Sequence, residues 1–66
     1  MTDAEVAQLS EQVREDVAVI EDGWPVVTPQ MHRGLVERTA ARYGLRVTWV
    51  GMQGTKVEHA VFEPLS

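Results

Sequence analysis

The chain has 66 residues, 44% of them apolar and 24% charged, with no cysteine and a net charge of −4. That length supports one small domain whose core is marginal unless self-association or close packing of a few elements adds to it. Disulfides and thiolate zinc sites are excluded, and the acidity argues against non-specific nucleic-acid binding. The longest apolar run, Val17 to Ile20, is too short for a membrane span or a signal peptide, so a cytoplasmic protein is expected. Arginine outnumbers lysine five to one and asparagine is absent, the codon signature of a GC-rich bacterial or phage genome.

The charge is unevenly placed. Residues 1–22 carry seven acids against Arg14, a local −6, whereas residues 23–66 carry five bases against three acids, a local +2.

The first element is a helix over 3–20. Thr2 and Glu5 have the spacing of a capping box, and Met1 with Val6 that of a hydrophobic staple. Val6, Leu9, Val13, Val17 and Ile20 recur every three or four residues and mark one buried stripe. Glu11, Gln12, Glu15 and Asp16 fall away from it, and Ser10 reads as solvated. Glu21 and Asp22 oppose the helix dipole, so the helix is expected to end at Ile20 and give way to a turn at Asp22-Gly23.

Pro25 forces Trp24 into an extended conformation, so 24–28 is a short strand or extended connector. Thr28 then caps a second helix over 29–43, with Pro29 at its first position and Gly44 as its left-handed stop. Met31, Leu35, Val36, Thr39, Ala40 and Tyr43 share its broad inner face, with His32 near the middle.

Strands at 45–50 and 55–63 form a hairpin. A three-residue loop, Met52-Gln53-Gly54, pairs Trp49 with Val57, Val47 with His59 and Leu45 with Val61, and gives Gly54 the left-handed position. This register buries Val57 and Val61 and turns Val50, Ala60 and Phe62 outward. The expected fold class is therefore α+β, helix–connector–helix–β-hairpin, with two helices packed on one face of a small antiparallel sheet. The expected core is Val6, Leu9, Val13, Val17, Ile20, Trp24, Met31, Leu35, Val36, Tyr43, Leu45, Val47, Trp49, Val57 and Val61. Two strands alone are marginal, so 25–28 or a second copy of the chain is a candidate third partner for the sheet.

Chemistry-bearing motifs are sparse. No nucleophile elbow, phosphate-cradling glycine loop or zincin motif occurs, and Gly51 and Gly54 read as hairpin punctuation. His32 and His59 are the only imidazoles, and each is expected to pack its ring into the core and bond one nitrogen to backbone or water. No enzyme activity, metal or cofactor is expected.

Three surfaces are candidates for binding. Glu11, Glu15 and Asp16 on the first helix outnumber Arg14 and would gain from a cationic partner. Val50, Met52, Ala60 and Phe62 form an apolar outer sheet face, while Gly34 and Ala41 line the back of the second helix, where small residues seven apart permit close approach. The third surface is basic: Arg33, Arg38, Arg42, Arg46 and Lys56. A helix followed by a hairpin over 29–63 resembles a winged helix, which implies a groove-reading helix and a phosphate-gripping wing. Against that stand a connector of about eight residues where a tight turn belongs and a hairpin tip whose one adjacent base is Lys56. Pairing of Arg38 and Arg42 with the acids of the first helix is the preferred reading. The sequence thus points to a small acidic, non-enzymatic interaction or regulatory module, acting as a homodimer or on another protein, with a DNA-binding regulator as the alternative.

Overall fold

Thr2 opens the first helix with both halves of a capping box: its hydroxyl accepts from the Glu5 amide, and the Glu5 carboxylate accepts from the Thr2 amide, each at 3.2 Å. In the computed structural model, which describes residues 1–55 and 57–65, this helix, α1, spans Asp3–Asp22. It runs two residues past the expected stop. The Gly23 amide donates to the Ile20 carbonyl and the Trp24 amide to that of Glu21, closing the last turn. Glu21 also gains a partner in His32, which offsets its unfavourable place at the negative end of the helix dipole.

The second helix, α2, spans Pro29–Arg42 and begins as the sequence dictates, with the Thr28 hydroxyl accepting from the Met31 amide at 3.1 Å. Tyr43 caps its end, and Gly44 follows at φ 74°. The connector 24–28 pairs with no strand; among the described residues the sheet has two strands, β1 (Leu45–Gly51) and β2 (Glu58–Pro64). The helices run antiparallel, since Glu21 bonds to His32 and Asp16 to Tyr43. Together they cover one face of the β1–β2 ribbon, so the molecule is an α+β fold of two helices followed by an antiparallel hairpin.

The register differs from the expected one by three residues. Leu45 pairs with Pro64, Val47 with Phe62, Trp49 with Ala60 and Gly51 with Glu58. Backbone bonds from Leu65 to Gly44 and from Met52 to Val57 extend the ladder at both ends. Gly54, at φ 80°, takes the left-handed position of the tip turn, but the loop is wider than Met52–Gly54. An odd shift turns every β2 side chain over. Ala60 and Phe62 therefore face the helices, while Val57, His59 and Val61 are exposed.

Side-chain size and charge account for the choice. The observed pairing sets Trp49 against small Ala60 and Val47 against large Phe62, so the inner face interdigitates beneath the helices. It also sets Arg46 opposite Glu63, where they form an ion pair at 2.8 Å. Glu58 joins the inner side only at its open end, where Arg33 meets it at 3.1 Å.

The buried apolar core is small: Val13, Val17, Leu35, Val36, Ala40 and Leu45, with Leu45 only 1% exposed. Val6, Leu9, Trp24, Tyr43, Val47, Trp49, Ala60 and Phe62 pack around it. Ile20, Met31, Val57 and Val61, expected in the core, are exposed. Ser10, expected in water, is buried, and its hydroxyl is satisfied within the helix by donating to the Val6 carbonyl at 2.6 Å.

Candidate functional site

The outer side of the ribbon follows from the alternation along each strand. Val50 and Met52 lie there, as their sequence positions suggested. Ala60 and Phe62 do not: both pack against the core from the inner face, and the Arg14 guanidinium sits 5.4 Å from the centre of the Phe62 ring. Their places outside are taken by Val57 and Val61, which share an alternation with His59. The sequence could not separate these faces, because β2 carries apolar residues at both parities.

The basic candidates are dispersed. Arg33 is bound to Glu58 and Arg46 to Glu63. Arg42 lies beside the Asp16–Tyr43 pair, Arg38 is exposed on α2, and Lys56 lies outside the described residues. Gly34 and Ala41 sit on the back of α2; a Cβ added at Gly34 would meet no atom within 4 Å.

On α1, Glu11 and Glu15 are exposed, whereas Asp16 turns toward the second helix. The Tyr43 hydroxyl donates to Asp16 Oδ2 at 2.5 Å, and the Gln12 amide donates to Oδ1 at 2.9 Å. The Tyr43 bond, then the Gln12 bond, hold the Asp16 carboxyl below its ordinary pKa. The same carboxylate raises the Tyr43 phenol, because ionising it would place two negative charges in contact. Asp16, Tyr43, Arg42, Thr39, Val19 and Ile20 line a groove of about 390 Å³ between the second half of α1 and the end of α2.

A second cluster lies where α2 meets the ribbon. His32 Nδ1 contacts Glu21 Oε2 at 2.6 Å, and the ring stands edge-on to Trp49 at 6.4 Å and 62°. Trp49 Nε1 donates to Glu37 at 2.8 Å. His32, Arg33, Trp49, Glu58 and Pro29 border a recess of about 250 Å³. His32 thus finds a carboxylate rather than backbone or water, and the one it finds is at the end of α1. The readable signal was reciprocal: Glu21 at an unfavourable helix end and an imidazole in the first turn of the next helix.

An imidazole oriented by a carboxylate is half of an acid–base device. The described lining of this recess holds no hydroxyl or thiol that it would activate. Among the described residues, no three His, Cys, Asp or Glu side chains gather in a way that would hold a metal ion. None of the described helices is long and apolar enough to cross a membrane. Comparison with protein-family models, curated proteins and solved structures gave no match.

Proposed function

We propose that this chain is a small acidic, non-enzymatic protein-interaction module, encoded by a GC-rich bacterial or phage genome, that acts as a homodimer. The observation that carries the reading is an excess of surface. The chain exposes 4929 Å², where a compact monomer of 7.4 kDa exposes about 4,200 Å². Its radius of gyration, 12.3 Å, likewise exceeds the about 11 Å of a compact chain of this length. A molecule that buries little of itself gains most from burying the rest against another surface.

The polar clusters support a structural rather than a catalytic use of their residues. Glu21 and His32 join α1 to α2, Glu37 and Trp49 join α2 to the ribbon, and Asp16 and Tyr43 join the middle of α1 to the end of α2. The DNA-binding alternative is weakened because Arg33 and Arg46 are already matched by carboxylates of the same chain.

Sedimentation equilibrium tests the reading. The expected mass is twice the 7.4 kDa of one chain, reached in the micromolar range and unchanged by added DNA at moderate salt. A single-chain mass throughout that range overturns it.

A further inference from the structure

The helices cover only the inner face of the β1–β2 ribbon. On the outer face Val50, Met52, Val57 and Val61 lie toward the hairpin tip, each between 37% and 59% exposed, with His59 opposite Val50 and Thr48 opposite Val61. An isolated two-stranded ribbon is marginal in water, and one covered on a single side still leaves these side chains wet. We infer that this face is the contact between two copies of the chain, the two ribbons stacking face to face about a two-fold axis with Val50 and Val61 near its centre. The inference rests on the homodimer proposed above and gives that dimer a location.

Three observations select a second copy as the occupant. A two-fold contact brings a surface against itself, so the surface must tolerate its own charge. The outer ribbon face does: Arg46 and Glu63, the rung next to Val61, neutralise each other across the strands at 2.8 Å, and His59, opposite Val50, is the one other titratable side chain among its described residues. The exposed side of α1, with Glu11 and Glu15, would repel its own image. The scale also agrees. The surface that the whole chain exposes beyond a compact monomer, about 700 Å², is of the order of the roughly 800 Å² that each partner contributes to a stable interface. Finally, valines and a methionine on a pleated surface suit sheet stacking, in which side chains interdigitate across a spacing of about 10 Å.

The test compares substitutions on the two sides of the molecule by sedimentation, with circular dichroism to confirm folding. Val61→Glu and Val50→Glu should weaken self-association by about a hundredfold or more, since each would place two unpaired carboxylates in the contact. Val19→Glu, on the helical layer at 74% exposure, should leave the dimer intact. Because the chain has no cysteine, Val61→Cys should cross-link two chains under mild oxidation, and Val19→Cys should not. If Val61→Glu fails to fold, the cross-linking comparison decides. A wild-type monomer overturns the homodimer and this face together. A wild-type dimer that survives Val50→Glu and cross-links through Val19→Cys instead of Val61→Cys overturns the face alone.

Discussion

At Tyr43 a single hydroxyl ties the end of α2 to the middle of α1, and its partner Asp16 must be ionised for the bond to keep its strength. The direction of each shift fixes a pH window. The carboxyl of Asp16 is depressed by folding, so its contribution is full above its unfolded value of about pH 4 and is lost as pH falls through the lower folded value. The Tyr43 phenol is raised, so its contribution is full below about pH 10 and is lost as pH climbs through the higher folded value. Tyr43→Phe should therefore lower stability most near neutrality and little at either extreme. Urea denaturation midpoints at acid, neutral and alkaline pH check this, and a difference that stays constant across the three would refute it. The pair was half legible: Tyr43 belongs to the inner face by spacing, and a half-buried phenol calls for an acceptor. The identity of that acceptor depends on how the helices cross, which no spacing in one helix encodes.

The helices themselves were legible because their ends are local. Thr2 with Glu5, and Thr28 with Pro29, satisfy or remove the first amides within a few residues, and both arrangements are realised. The ribbon was not, because its register is decided by what lies beneath it. Val57 and Val61 at one parity and Ala60 and Phe62 at the other both make apolar faces, and the fit beneath the helices, with the Arg46–Glu63 pair, chooses between them. The choice places neighbours in opposite environments: Phe62 is packed against the core, and Val61 is outside. Phe62→Glu should thus reduce stability by about 2 kcal/mol or more, read as a fall in the thermal midpoint, whereas Val61→Glu should leave secondary structure intact. Compared at concentrations too low for self-association, a lower midpoint for Val61→Glu than for Phe62→Glu would return the ribbon to the register expected from sequence.

At the scale of the molecule, six buried apolar residues among those described, and a surface larger than compactness requires, fit the proposed dimer, which would make stability depend on concentration. The thermal midpoint of the wild type should rise as protein is added, and that of Val61→Glu should not. A wild-type midpoint independent of concentration would contradict the dimer. The acidity of residues 1–22 stays on the helical layer, while the charges Arg46 and Glu63 on the ribbon face are matched to each other, so salt should alter the proposed association little.

The Cα frame measures 35 × 32 × 16 Å, which leaves depth for one layer of side chains between the helices and the ribbon. In a slab so shallow the groove beside Asp16 and the recess beside His32 both lie open at its surface. For the dimer proposed above, selectivity would come from how two broad faces match in outline and sign.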